Sequence, residues 1–470
     1  MSRRASRSLF DALARETPAI ISERLTGRVV DVRGQTLSAA GLPAPVGARC
    51  RVYTGRGEPV EAEVVGAAGG RATLTVLGEP VGVAAGDRVE CVSGAPRVPV
   101  GFDLIGRVLD SHGAPLDGKP APVLNLRYPL YADAPPALSR RPITQPIGLG
   151  VRAIDTLLTV GRGQRLGLFA GTGVGKTVLM GTICRHTQAD VTVVAMVGER
   201  GREVREFLER QLGPDGLARS VVVACTSDEA PALRVRAAFH ATAVAEFFRD
   251  QGLDVLLLLD SLTRMAMAQR QIGLAAGEPP TAKGYPPSVF SLLPRLLERA
   301  GRVDEGSITG VYTVLVEGDD IDEPLADAVR GILDGHVWLS RKLANRGHFP
   351  AVDVLNSVSR VADDVLDVGR RAMAARVRRV LATWEDIEDL VSIGAYSPGA
   401  NEEYDMAVRT RDAVVAFLRQ PRDQGATLEE GLAELDRLSA RLERVASELG
   451  AERAASLGRA PDAAGARRGA

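Results

Sequence analysis

Residues 170–177 read AGTGVGKT and stand between the apolar run RLGLF and the helix-like stretch VLMGTICRHT. This is a phosphate cradle in all but its first position, where the pattern G-x-x-x-x-G-K-[ST] has glycine and this chain has Ala170. Holding a polyphosphate takes backbone N–H groups converging on oxygen, a helix N-terminus behind them and a cation against the β and γ charges. Gly171, Gly173 and Gly175, interleaved with Thr172 and Val174 and followed by Val178, let the backbone approach closely. Lys176 supplies the cation, and Thr177 offers a hydroxyl to Mg²⁺. Ala170 removes one turn glycine at the strand exit, where a methyl fits provided φ stays negative. The expected ligand is a nucleoside triphosphate with Mg²⁺.

Cleaving such a ligand needs more. The stretch LDVLLLLDSLTR ends an apolar run on Asp260, which places a carboxylate at the end of a strand on the metal side of the site. In AMVGERGREVREF, Glu199 and Arg200 follow an apolar strand read at 191–197, again where α/β sites lie. A carboxylate there can orient or deprotonate the attacking water. Glu203 competes for that role, and helix capping is the plainer use of Glu199. The charge that develops on the transferring phosphoryl group is commonly met by an arginine from a neighbouring subunit or domain. FPAVDVLNSVSRV offers Arg360, for which a surface ion pair is the ordinary alternative.

The elements that must position these residues follow from the patterning of all 470. Residues 1–24 read as a short amphipathic helix with Leu9, Phe10, Leu13 and Ile20 on one side, a docking helix or a loose terminus. Residues 25–97 break into short alternating runs closed by Gly, Pro or Asp, which predicts a small β-barrel. GRVVDVRG at 27–34 and GRVLDSHG at 106–113 echo each other and suggest two similar hairpins. Residues 98–365 hold a proline-rich connection and then apolar strands alternating with helices, the pattern of a mostly parallel α/β sheet buried on both faces. Residues 366–458 read as helical, ending in a helix with leucine spacing at Leu432, Leu435, Leu438, Leu442, Val445 and Leu449. Packing on its own domain suits that length better than a coiled coil. Residues 459–470 have the composition of a disordered tail.

Composition narrows the function. With 45% hydrophobic and 25% charged residues the chain is an ordinary globular one, and a net charge of −1 gives no long-range attraction to nucleic acid or anionic lipid. Cys50, Cys91, Cys184 and Cys225 are too scattered for a zinc knuckle or a disulfide framework, and suit a reducing cytoplasm. The basic start lacks the apolar core of a secretory signal, and no run is long enough to span a membrane.

The block from RRPITQPIGLGVRAIDTLLTVGRGQRLGLFAGTGVGKT through NSVSRV resembles the catalytic subunits of rotary ATPases. CTSDEAPALRVRAAFHATAVAEFFRDQG, DSLTRMAMAQRQIGLAAGEPPTAKGYPPSVFSLLPRLLERAG and SIGAYSPGANEEYD are similar to the export ATPases of flagella and of type III secretion injectisomes. The likeness spans about residues 25–420. It implies a RecA-like P-loop ATPase domain, alanine as an accepted first loop residue, and ATP as the nucleotide. It further implies Glu199 as the residue activating water, Asp260 beside magnesium, Arg200 and Arg264 near the phosphates, and Arg360 as a finger reaching the next subunit. Phe349 and Tyr396 match positions where relatives place aromatics near adenine.

Cradle, carboxylate and finger in one chain allow a ring of identical copies to complete every site, and the resemblance implies six. It also implies a regulator resembling a stator protein at the N-terminal helix, a central stalk protein at the C-terminal region, chaperones with their export substrates, and an export gate. The expected location is cytoplasmic, peripheral to the inner membrane at the base of the apparatus. Leu149 stands where relatives commonly have threonine, and the chain beyond about 420 exceeds the family's usual length. Two other readings are a rotary synthase catalytic subunit and an RNA-dependent hexameric ATPase. The second should carry stacking aromatics on its barrel, where this chain has Tyr53 alone, so no nucleic-acid partner is expected.

Overall fold

A computed structural model describes residues 24–457, apart from positions 56, 317, 319, 321 and 322. The helix expected over 1–24, all but Arg24, and the tail from 459 lie outside the described residues. The chain forms two compact units. The first takes residues up to 143 with 162–172 and 189–336, and the second takes 144–161, 173–188 and the chain from 337.

The first unit opens with six strands, β1 (Thr26–Arg33), β2 (Thr36–Ala40), β3 (Arg49–Tyr53), β4 (Val60–Ala68), β5 (Arg71–Val76) and β6 (Arg88–Ser93). They close into a barrel in the order β1-β2-β5-β4-β3-β6. Alternation sends Val29, Leu37, Val52, Leu74 and Val89 inward, and closure leaves no free edge. Gly34, at φ 55, makes the tight β1–β2 turn.

Beyond the barrel come β7 (Arg97–Val100), β8 (Arg107–Leu109), β9 (Leu126–Pro129) and helix α1 (Arg152–Leu157). Next are β10 (Arg165–Ala170), α2 (Lys176–His186), β11 (Val191–Glu199), α3 (Gly201–Glu206), β12 (Ser220–Thr226) and α4 (Pro231–Asp250). The chain continues through β13 (Asp254–Asp260), α5 (Leu262–Ala275), β14 (Gly301–Arg302), β15 (Ser307–Leu315), β16 (Gly335–Leu339) and β17 (Val352–Ser359). Three long helices follow, α6 (Val368–Ser392), α7 (Glu402–Leu418) and α8 (Leu428–Leu457).

In the first unit β10-β15-β13-β11-β12-β8 lie side by side, all parallel, with β14 antiparallel beside β15. Every residue of β11 is buried, as near-continuous apolar strands covered on both faces must be. The likeness between 27–34 and 106–113 extends to a turn in both, since the second stretch also folds back, through one antiparallel bridge from Leu109 to Pro115. The first stretch is one arm of the barrel hairpin, whereas Arg107–Leu109 joins β12 as a parallel edge strand, Arg107 opposite Val221. Similar turn residues at the close conceal a partner far along the chain.

α4 is buried along almost its whole length and ties sheet to barrel. Its Arg236 donates to the carbonyl of Ser111 at 3.2 Å and stands 3.5 Å from Glu63 of β4, whose carboxylate also accepts the Tyr131 hydroxyl at 2.9 Å. His240 on the same helix is fully buried. Burial first, and then the Arg236 charge, push its imidazole down to about 4.

The unfolded chain's histidine titrates near 6.5. As pH falls below that value the unfolded state gains a proton that the native state refuses, so stability drops until about pH 4. At pH 5 the loss from this one group is about 2 kcal/mol. In urea unfolding at pH 7 and pH 5, a His240→Leu protein should lose that much less than the parent. Equal losses in both proteins would assign the effect elsewhere.

In the second unit β17 lies beside β16, and α6 packs on α7 and α7 on α8. Leu432, Leu435, Leu438, Leu442 and Leu449 are buried within the single chain, with Arg376–Glu443 and Arg409–Glu452 ion pairs at 2.6 Å along the exposed side. No helix among the described residues is long and apolar enough to cross a membrane.

Candidate functional site

The phosphate loop begins where β10 stops. Ala170 is the strand's last residue, is fully buried, and accepts the Val316 N–H at 3.0 Å. Among the described residues Lys283 alone of the non-glycines has positive φ, so Ala170 keeps the negative φ that lets its methyl fit. Glycine is needed three and five residues on, where Gly173 (φ 77) and Gly175 (φ 93) turn the backbone through the left-handed region. Such alternation makes a concave row of N–H groups suited to an anion. Gly175 caps α2, whose first two residues are Lys176 and Thr177.

Parallel strands end on the same edge of their sheet, and the first unit gathers its candidates there. Ala170 closes β10, Asp260 closes β13 two strands away, and Glu199 closes the neighbouring β11. At about 4.8 Å per strand, β10 and β13 are roughly 10 Å apart.

Asp260 is 2% exposed, and its Oδ1 accepts the Thr313 hydroxyl at 2.6 Å. Ser261 then caps α5, its Oγ accepting the Arg264 N–H at 3.3 Å, which sets Arg264 in the first turn of that helix. The Arg264 Nε lies 3.9 Å from the Glu199 carboxylate. Between them sits Gly198 at φ 72, where a β-carbon would come within 2.9 Å of the Arg264 Cβ. Any side chain there would drive the guanidinium off the carboxylate.

Glu199 and Glu203 occupy different surroundings. Glu199 is 6% exposed and belongs to the strand, which runs two residues further than the apolar pattern suggested because a register shift at Gly198 carries it on. Glu203 lies on the surface of α3, 3.6 Å from Arg200, and Arg200 itself is largely exposed.

The second unit holds the rest. Gly175, Val178 and Leu179 of the loop and α2 face a cavity of about 550 Å³ walled by Val151, Phe349, Pro350 and the strip 419–422. The Phe349 ring stands 3.5 Å from where a Gly175 β-carbon would be, an apolar face beside the cradle suited to a purine. Tyr396 is not in that lining. It sits on the α6–α7 connection with its hydroxyl bonded to Asp405 of α7. Arg360 follows the last residue of β17, is exposed, and has no ion-pair or hydrogen-bond partner among the described residues.

Thr177 and Asp260 offer oxygen donors only, and no cluster of three His, Cys, Asp or Glu occurs among the described residues. Oxygen is the donor that Mg²⁺ prefers, and that ion takes most of its shell from phosphate and water instead of a protein cage.

The chain and its fold have close counterparts. The ATP synthase alpha/beta family nucleotide-binding domain matches residues 150–359, and the T3SS EscN ATPase C-terminal domain matches residues 367–437. The flagellum-specific ATP synthase of Bacillus subtilis is 50% identical over 415 residues, 88% of this chain and 95% of that protein. The type 3 secretion system ATPase of Xanthomonas euvesicatoria is 49% identical over 425 residues, 90% of this chain and 96% of that protein.

Among solved structures, the assembled ATPase EscN of the enteropathogenic E. coli type III secretion system aligns with TM-score 0.83 at 42% identity, covering 88% of this chain and 100% of that one. The same ATPase in complex with its central stalk EscO gives TM-score 0.81 at 42% identity and the same coverage.

Proposed function

This chain belongs to the ATP synthase alpha/beta family, in the branch of flagellar and type III secretion ATPases, and on that premise we propose how its residues divide the work and what the work serves. It is an ATPase of the protein-export type. The Gly171–Gly175 backbone and Lys176 hold the β- and γ-phosphates, with the base against Phe349. Glu199, buried at a strand end with Arg264 beside it, takes the proton of the attacking water as its oxygen bonds to the γ-phosphorus and the β–γ bridging oxygen leaves. Arg200 and Arg264 face the phosphate oxygens. Thr177 and Asp260 would hold Mg²⁺, which when bound neutralises the developing charge.

Arg360 serves the neighbour's nucleotide. The observation that carries this is an exposed arginine at a strand end with no partner among the described residues, in the same chain as the cradle and base. Rotational closure of such head-to-tail contacts gives a ring. On this reading the ring has six identical copies and works in the cytoplasm at the base of a flagellar export apparatus, releasing substrates from chaperones and priming them for the export gate. The C-terminal helices meet a stalk protein and the N-terminal segment a regulator.

The injectisome is the alternative setting for the same machine. An RNA-driven ATPase is disfavoured by the barrel's aromatic, since Tyr53 already has the Arg88 guanidinium over its ring at 4.4 Å.

The test is the concentration dependence of turnover. Specific activity should rise with protein concentration in step with the mass measured by light scattering, and homopolymeric RNA should leave it unchanged. A monomer hydrolysing at constant specific activity would refute the shared site, and strong RNA stimulation would replace the export reading.

A further inference from the structure

The base-side cavity has a wall opposite its aromatic that is only a strip of irregular chain. Gln420 and Pro421 line that cavity on one side and a second cavity of about 520 Å³ on the other, so the strip is a thin partition with space at its back. Something must hold it, because an unsupported strip would move with every change in the second cavity.

The holding contacts converge on Arg152, at the start of α1. Its Nε donates to the carbonyl of Phe417 at 2.6 Å and its Nη2 to the carbonyl of Arg419 at 2.6 Å. Nη1 pairs with Glu434 of α8, and the guanidinium lies over the Phe417 ring at 5.5 Å. The Arg152 backbone N–H donates to Gln420 Oε1 at 2.9 Å, and Gln420 Nε2 reaches the carbonyls of Gly150 and Gln424 at 2.8 and 2.7 Å. Against this, α2 contributes longer bonds to the carbonyl of Arg422, from Thr182 at 3.4 Å and Arg185 at 3.1 Å. Gln420 N–H also donates to the carbonyl of Phe349 at 3.0 Å, which joins the strip to the aromatic it faces.

We propose that Arg152 is a positioning residue for the base subsite, a guanidinium fork that fixes the strip 419–422 at its spacing from Phe349 and so sets the affinity for the nucleoside part of the ligand. It is not part of the cavity lining and acts only through the chain it clamps. Arginine is required because one planar fork satisfies two carbonyls and a carboxylate at once. A lysine ammonium on a flexible stem keeps the charge but not the geometry. The inference rests on the cavity being the base subsite.

The experiment compares full-length parent, Arg152→Ala and Arg152→Lys proteins by calorimetric binding of ADP and of inorganic pyrophosphate, with KM and kcat for ATP. ADP affinity should fall and KM rise by about tenfold in Arg152→Ala, as loss of binding energy common to ground and transition states predicts, with kcat within about twofold. Pyrophosphate affinity should stay unchanged, and Arg152→Lys should recover part of the loss. Should Arg152→Ala fail to fold, Glu434→Gln, which frees one arm of the fork, should move KM the same way by about twofold to threefold.

Unchanged KM in the folded variants, or equal loss of ADP and pyrophosphate affinity, overturns the clamp. If the parent itself binds pyrophosphate as tightly as ADP, the base subsite lies elsewhere and that reading falls first, taking the clamp with it.

Discussion

Lys176→Ala protein should bind ATP roughly ten- to a hundredfold more weakly, whereas Glu199→Gln protein should bind ATP as the parent does and fail to turn it over. The two residues differ in what they meet. Lys176 opens α2 directly behind the two left-handed glycines, so its ammonium adds to N–H groups already aimed at the phosphates. A charge-assisted contact of this kind contributes about 1.5–3 kcal/mol, and its loss weakens ground state and transition state together.

Glu199 is a strand-end carboxylate whose proposed partner is water, not ligand. Replacing it by the isosteric amide removes a proton acceptor while keeping shape, and a general base contributes roughly 10²–10⁴ in rate. Fluorescent-nucleotide binding and phosphate release measured on both proteins separate the roles. Glu203→Gln should change neither, because that side chain sits in a solvent-exposed pair with Arg200. Equal loss of binding in the Lys176 and Glu199 variants would contradict the assignment.

Arg360→Ala should fold and bind nucleotide normally yet leave the assembled ring slower by roughly 10³ or more. Normal folding is expected because an exposed arginine, here without a partner among the described residues, can be removed at little cost. Complementation makes the result decisive. Arg360→Ala and Lys176→Ala proteins are each expected to be silent. When copies mix at random, roughly a quarter of the seams pair an intact cradle with an intact arginine. Turnover should therefore return in the mixture. A mixture as silent as its components would place Arg360 in its own subunit's chemistry or in none, and a fully active Arg360→Ala ring would remove the finger.

What the sequence made legible follows from how far apart the cooperating residues are. The phosphate loop, Asp260 and Glu199 each lie directly after an apolar strand, so a local pattern of a dozen residues places them on one sheet edge. Sequence and resemblance favour Glu199 over Glu203, and burial, which spacing does not contain, sets the two apart. The turn after β8 was legible, since Leu109 bridges Pro115 antiparallel, but its parallel partner β12 lies too far along the chain to show in a local pattern.

The strip 419–422 gave no signal at all. It follows an amphipathic helix as ordinary polar chain and reaches the cavity through tertiary ties, those to Arg152 among them. Phe349 and Tyr396 looked alike in the sequence, and tertiary placement sends one to the cradle and the other to Asp405.

The edge strand has a last consequence, for synthesis on the ribosome. The barrel closes from residues that emerge together, but β8 must wait about a hundred residues for β12 to appear. Contacts of such long reach form late. The nascent chain therefore carries a strand with one edge still unpaired between a finished barrel and an unbuilt sheet.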